Sequence, residues 1–169
     1  DPALGGESGA EDDSEMARGS TLFVWEGGFT FDRAPQRATM RRAVSMTHRR
    51  LADSLETIVE CEQLSAEFRG LGDGASGAEI ERGELTRVVA EGAVYVASLL
   101  DGVLRREVIA DRLTYDAIGG IAEAFATPGN RISMFDADRA TPASAEGVRW
   151  DLKADRVEIT GAGTVTTPR

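Results

Sequence analysis

The clearest signal in the chain is a two-residue alternation beginning at Arg37. Ala38, Met40, Arg42, Val44 and Met46 share one parity and are mostly apolar; Thr39, Arg41, Ala43, Ser45 and Thr47 share the other and are polar or small. Such a period reads as a half-buried β-strand. Upstream, Thr21-Leu22-Phe23-Val24-Trp25 is a β-branched and aromatic run, followed by Gly27-Gly28 and a second run, Phe29-Thr30-Phe31-Asp32. Arg33-Ala34-Pro35-Gln36 then reads as a tight turn, with Pro presetting φ. Downstream, Val88, Ala90, Val94 and Val96 hold parity around Gly92, and a glycine inside a strand marks a bulge or a close backbone approach. Over 55–68 a helix competes, because Leu55, Ile58, Val59, Glu62 and Ala66 also fall at helical spacing. Strand is preferred there, since the segment has a counterpart later in the chain that is harder to draw as helix.

That counterpart is an internal echo. AVSMTHRRLADSLETIVECEQLSAEF (43–68) and AVYVASLLDGVLRREVIADRLTYD (93–116) each open on Ala-Val and a short alternating strand. Each then passes a polar turn and reaches an acidic-x-Leu element, Glu62-Gln63-Leu64 or Asp111-Arg112-Leu113. Phe29-Thr30-Phe31-Asp32 corresponds to Leu113-Thr114-Tyr115-Asp116. A third echo sets Ala154-Asp155-Arg156-Val157-Glu158 beside Ala110-Asp111-Arg112-Leu113-Thr114 and runs into Gly161-Ala162-Gly163-Thr164-Val165. Short strands repeated in this way cannot bury an apolar face alone and must stack into a continuous core. An all-β, repeat-built fold is expected, either an open β-jelly roll with a V-shaped groove or a β-solenoid. Either would leave unpaired edge strands that invite strand addition by a partner.

Composition narrows the picture. Residues 1–20 are acidic and rich in Gly and Ser, a disordered lead-in, and 21–169 form a single β-repeat domain with a Gly-rich loop at 69–83. The 169 residues are 41% hydrophobic but only 6% aromatic, so the core must be mostly aliphatic. With 29 acidic against 19 basic residues the formal charge is −10, which disfavours nucleic acid as a partner. Arg41, Arg42, His48, Arg49 and Arg50 nonetheless form a local basic cluster. A single cysteine, Cys61, excludes an intrachain disulfide. The chain opens on Asp1-Pro2 and is read as a mature chain or an excised piece, with any signal or anchor outside it.

The stretches Val89-Ala90-Glu91-Gly92-Ala93-Val94-Tyr95-Val96 and Val108-Ile109-Ala110-Asp111-Arg112-Leu113-Thr114-Tyr115-Asp116 resemble the OstA-like (LptA/LptC-type) family of lipopolysaccharide-transport proteins. They match its rhythm of G-x-V-x-V followed by A-D-x-x-x-Y-D. Ala154–Ile159 and Gly161–Val165 repeat that rhythm in reverse order. The resemblance implies a β-jelly-roll groove whose interior takes lipid A tails. It also implies end-to-end strand pairing with other β-jelly-roll transport proteins, at a periplasmic or exported cell-envelope face. The Gly-rich insertion at 69–83 and the Arg-rich strand at 41–50 depart from the family pattern.

Candidate chemistry is sparse. His48 lacks partners at catalytic or metal-ligand spacing and reads as a solvated strand end. Cys61 lies between Glu60 and Glu62, whose charge opposes a thiolate, so it reads as a small buried residue. Asp136-Ala137-Asp138 has no downstream acid to complete a cation loop. The Gly-rich stretches at 69–83 and 117–130 do not have the setting of a phosphate loop. Trp25 and Trp150 read as core or rim packing. No catalytic residue, metal or cofactor is expected.

The one feature with a functional reading is the apolar parity set. It comprises Met40, Val44, Met46, Leu64, Phe68, Val88, Val94, Val96, Leu113, Tyr115, Phe125, Met134, Phe135, Val157 and Ile159. It is either the lining of a lipid groove or an ordinary closed core. The functional expectation is a non-enzymatic domain that binds or transports an acylated glycolipid, lipopolysaccharide, in the cell envelope. The alternative is a structural β-repeat domain that assembles through its edge strands.

Overall fold

A computed structural model describes residues 19–50, 54–70, 84–137, 143–154 and 156–165. These residues build ten strands: β1 (Gly19–Val24), β2 (Phe29–Asp32), β3 (Arg37–Arg50), β4 (Leu55–Arg69), β5 (Glu84–Leu100), β6 (Val103–Asp116), β7 (Ile121–Phe125), β8 (Ile132–Asp136), β9 (Ala143–Asp151) and β10 (Arg156–Val165). All pairs are antiparallel, in the order β1-β3-β4-β5-β6-β7-β9-β10, with β2 added to β3 and β8 added to β6 and β9. The segment 55–68, where helix and strand competed, is strand. Its inward positions meet apolar partners on both neighbours, and that packing overrides local helix propensity.

The short strands are halves of longer ones. β1 pairs with residues 45–50 of β3 and β2 with residues 37–40. β7 and β8 divide β6 between them in the same way, pairing with 112–116 and 106–109. The interruptions lie level with register shifts on the long strands, at Arg41/Val44 in β3, Glu91/Val94 in β5 and Thr160/Gly163 in β10. At those shifts the backbone turns left-handed: Arg42 (φ 69°), Ala43 (47°), Gly92 (79°), Ala93 (46°) and Gly161 (74°). A bulge of this kind inserts an unpaired residue and bends its strand. A line of bulges therefore crosses the sheet and folds it into two walls, here called the β1/β8 wall and the β2/β7 wall. One apolar cluster draws residues from both walls, so their inner faces meet. Arg106, which pairs with β8, lies 4.4 Å from the ring centroid of Trp150, which pairs with β7, and so joins wall to wall.

The internal echo has a structural meaning. Ala43-Val44 and Ala93-Val94 occupy the same place, the exit from a bulge into the β1/β8 wall. Gly92 is the bulge glycine foreseen from its strand context. A Cβ there would lie 2.9 Å from Glu62 Cβ, so the position requires both positive φ and the absence of a side chain. Phe29 and Phe31 likewise share rows with Leu113 and Tyr115. The third echo does not hold: Ala110 is buried within β6, whereas Ala154 sits in the turn after β9. In that turn the carboxylate of Asp151 accepts the Lys153 and Ala154 amides, as Asp116 does for Ile118 and Gly119.

Element limits differ slightly from expectation. β1 begins at Gly19, inside the stretch read as lead-in, and Arg69 ends β4 with a two-pronged ion pair to Glu84 (2.6 and 2.8 Å) instead of opening the loop. Residues 1–18 and 71–83, which hold the rest of those two segments, lie outside the described residues.

Candidate functional site

The inner face is built as transverse rows, because directly opposed residues in an antiparallel pair point to the same side. On the β2/β7 wall, the row nearest the fold line is Phe29, Met40, Leu64, Ala90, Leu113, Ala124, Val148 and Ile159. The next row is Phe31, Ala38, Ala66, Val88, Tyr115, Ala122, Trp150 and Val157. On the β1/β8 wall, Phe23, Met46, Val59, Val96, Val108, Met134 and Ala143 form an apolar row.

Of the candidate set, Met40, Val44, Met46, Leu64, Val88, Val94, Leu113 and Met134 are buried on this face, and Phe68, Val96, Tyr115 and Val157 pack against them half-buried. Phe125 and Phe135 are corrections. Phe125 lies opposite Arg112 and Phe135 opposite Glu107, so both point outward, at 42% and 37% exposed. Phe135 directly follows the inward Met134, and neighbours in a strand cannot share a face. Ile159 shares the inner row but lies on β10, which has no strand beyond it among the described residues, and it is 37% exposed. The middle of the strip is filled by its own side chains: Leu64, Ala90 and Val94 are 0% exposed. Its two sheet edges stay wet, at Phe29 on β2 and Ile159 on β10.

Beyond the apolar row, the β1/β8 wall changes character. Thr21, His48, Thr57, Ser98, Arg106 and Asp136 form a polar row on the same inner face, and Arg50 lies one step further out. His48 is thus not a solvated strand end. Its Nδ1 lies 2.8 Å from Thr21 Oγ1, and burial followed by the charge of Arg50 holds its pKa below the ordinary value. Asp136 is 2% exposed and pairs with Arg106 Nε at 3.4 Å; it serves this ion pair and not a cation loop. Across from this row stand Tyr115 and Trp150. Burial raises the Tyr115 pKa, Asp116 adds to the rise and Arg50 opposes it, so Arg50 and Tyr115 sense one another between walls. Carrying the parity of β3 through Val44 and Met46 to His48 and Arg50 would have found this lip in the sequence. Arg106 and Asp136 needed the pairing of β6 with β8.

The outer face spends most of its charge on itself. Arg37 donates to Glu67 (2.7 Å), Arg49 to Glu56, and Arg41 to Gln63 (3.2 Å). The basic cluster read from the sequence is thereby divided: Arg41 and Arg49 pair outside, His48 and Arg50 turn inside. Asp111 receives the Thr127 amide (2.6 Å) and hydroxyl (2.7 Å) and the Asn130 side-chain amide (3.0 Å), which pins the loop between β7 and β8. The hydrogen bonds from Thr127 and Asn130 hold its carboxyl below the usual range. Cys61 is buried and free; desolvation raises its pKa to about 11, so it is a poor nucleophile. Among the described residues no group of three His, Cys, Asp or Glu could hold a metal ion. Hollows of about 440 Å³ at the hairpin tips (Arg50, Leu55, Leu99) and about 430 Å³ outside (Arg87, Asp116, Arg149) are lined differently from the buried strip.

A ten-stranded antiparallel sheet, folded along a line of bulges around an apolar interior, is a β-jelly roll, the fold the sequence led us to expect. Among solved structures it is similar to LptH from Pseudomonas aeruginosa, described as the LptA-homologous periplasmic component of that organism's lipopolysaccharide transport device. The superposition has a TM-score of 0.64 at 9% identity and covers 89% of this chain and 96% of that one. No family model matches the sequence, and no curated protein matches it either.

Proposed function

We propose that this chain is a non-enzymatic carrier domain of the cell envelope that binds the acyl chains of a lipopolysaccharide-like glycolipid against the inner face of its jelly roll. The observation that carries the reading is the inner strip itself. Its rows run the full width of the sheet from Phe29 to Ile159 and stay apolar throughout, in a fold shared with a lipopolysaccharide-transport component. Acyl chains gain free energy in proportion to the apolar area they hide from water, roughly 0.8 kcal/mol per buried CH₂. Such a strip suits a ligand with no other means of crossing an aqueous compartment. A periplasmic or exported location follows from the same reading.

The test uses the difference between faces. A photo-crosslinking amino acid at Tyr115 or Phe68 should capture lipopolysaccharide, while the same group at Phe125 or Phe135 should not. Equal capture at all four positions, or none at any, would remove the proposal.

A second reading, edge-strand assembly, rests on a separate observation. Among the described residues β1–β2 and β10 each have one sheet neighbour, and Leu22 (63%), Val24 (53%) and Phe29 (42%) are exposed along the first of these edges. Edges of this kind accept a further strand. Leu22→Lys with Val24→Lys should abolish concentration-dependent assembly in sedimentation velocity while leaving lipid capture at Tyr115 intact.

A further inference from the structure

The outer surfaces of the two walls are made of different chemistry. Outside the β2/β7 wall, directly opposed residues alternate in sign: Asp32, Arg37, Glu67, Arg87 and Asp116 in one row, Glu123, Arg149 and Glu158 in the neighbouring one. Outside the β1/β8 wall the middle row reads Leu22, Thr47, Ile58, Ala97, Glu107 and Phe135. On its fold-line side lie Val24, Tyr95 and Ile109, and on its tip side Leu99 opposite Leu104. We propose that this outer face of the β1/β8 wall packs against the same face of a second copy of the chain, in a closed back-to-back dimer that leaves both inner faces free. The dimer does not depend on the carrier reading above.

Three features favour a second copy. The first is area. Strands about 4.8 Å apart and same-face rows about 6.8 Å apart give the six strands β1, β3, β4, β5, β6 and β8 an outer face of about 600 Å² in projection over three rows. That is the upper end of what a monomer leaves open to water, and two such faces total about 1,200 Å², the lower bound of a specific interface. The second is relief. Ala97 points outward yet is only 3% exposed, while Ile109, Phe135 and Leu104 stand exposed around it. Two sheets packed face to face interdigitate raised and sunken positions of this kind.

The third is charge. Glu107 accepts the Tyr95 hydroxyl (3.3 Å) and Glu56 accepts from Arg49, which leaves Glu60 between Ser45 and Tyr95 with no cation in its row. A two-fold axis along the middle row reverses the strand direction and keeps β3 and β4 over their equivalents. It thereby lays the row of Glu60 on the row of Arg49 in the second copy. Arg49, 68% exposed in its side chain, keeps donors for that carboxylate. The segment ahead of β1 offers no such match, because residues 1–18 carry Asp1, Glu7, Glu11, Asp12, Asp13 and Glu15 against Arg18 alone.

The experiment is sedimentation equilibrium on the full chain, which should show association that stops at the dimer, since a two-fold interface closes. Ile109→Lys and Phe135→Lys are both exposed and both away from the β1 edge. Each should weaken the dimer roughly tenfold or more, the scale of an interface anchor, with the urea midpoint of the monomer unchanged. Arg112→Gln, outside the other wall, should leave it intact. Thr47 lies on the axis, so Thr47→Cys should be bridged to its counterpart by a short bismaleimide, whereas Thr30→Cys on the other outer face should not. Cys61 stays silent in this assay, because it is buried and its thiol is pushed up to about 11. A monomer at every concentration overturns the proposal, as does growth beyond the dimer. A dimer that both lysine variants leave unchanged belongs to the sheet edges and overturns it too. Binding to phosphatidylcholine vesicles that both lysine variants lose, with no dimer formed, assigns the face to a lipid surface and overturns the second copy.

Discussion

The two walls of this jelly roll are made from the same long strands, yet their inner faces end differently. The β2/β7 wall stays apolar and aromatic through Phe31, Ala38, Ala66, Val88, Tyr115 and Trp150. One row further from the fold line, beyond the equally apolar row of Phe23, Met46 and Val96, the β1/β8 wall has become Thr21, His48, Thr57, Ser98, Arg106 and Asp136. The difference has an energetic consequence, because each buried polar group must find a partner or lose free energy. Here the partners are found across the gap, Arg106 on Trp150, as well as within the wall, Thr21 with His48 and Asp136 with Arg106. Both walls thus supply apolar area for burial, and the β1/β8 wall adds a polar row across its inner face before Leu55, Leu100 and Val103 at the hairpin tips.

The comparison can be broken most severely on the apolar side. Leu64→Ala removes a side chain that is 0% exposed at the centre of its row and should cost about 2–5 kcal/mol in urea unfolding. On the polar wall, Asp136→Ala should cost less, about 1–3 kcal/mol, because it leaves a guanidinium that still reaches water. Adding Arg106→Met should recover most of that loss, since a buried ion pair replaced as a unit is close to neutral. If the double variant were as unstable as Asp136→Ala, the pair would matter for more than its own desolvation. At the boundary between the walls, Gly92→Ala should cost about 1–2 kcal/mol by forcing a side chain into left-handed backbone beside Glu62. The nearby Ala93, also left-handed at 46°, offers the matched control, since Ala93→Gly relieves strain at that site.

The smallest effect is a pH dependence confined to the polar wall. His48 is held below its ordinary 6.5 in the folded chain, so as the pH falls through that value the unfolded chain takes up the proton first. Stability should therefore decline on acidification below about pH 6.5, and His48→Gln should flatten that part of the profile. Urea midpoints at pH 7.5 and pH 5 for both proteins measure the difference. A profile unchanged by the substitution would show that His48 titrates alike in both states.

Much of this was legible without coordinates. The alternation over 38–40 and 44–46, which a bulge at Arg42–Ala43 interrupts, the turn at 33–36 and the bulge at Gly92 are local matters of side-chain period and backbone permission. Phe125 and Phe135 were misplaced because parity cannot be carried across a break. The loop at 126–131 that Asp111 pins resets the count between β7 and β8. The same resetting occurs within β4, where Cys61 and Leu64 both face inward, and within β6, where Ala110 and Leu113 do. Nothing in those strands themselves announces the change, because the left-handed residues that cause it lie on the neighbouring β3 and β5.

By itself, then, the sequence determined the strand class, the irregularity at Gly92 and an apolar face broad enough to need covering. These follow from the two-residue period of a strand and from the few residues that tolerate positive φ. Only the tertiary structure decided that the sheet folds along one line, that His48 and Arg50 turn inward while Arg49 turns out, and that Arg106 reaches Trp150 from the opposite wall. Those outcomes depend on contacts between residues far apart in the chain, whose free energy exists only once the two walls have met.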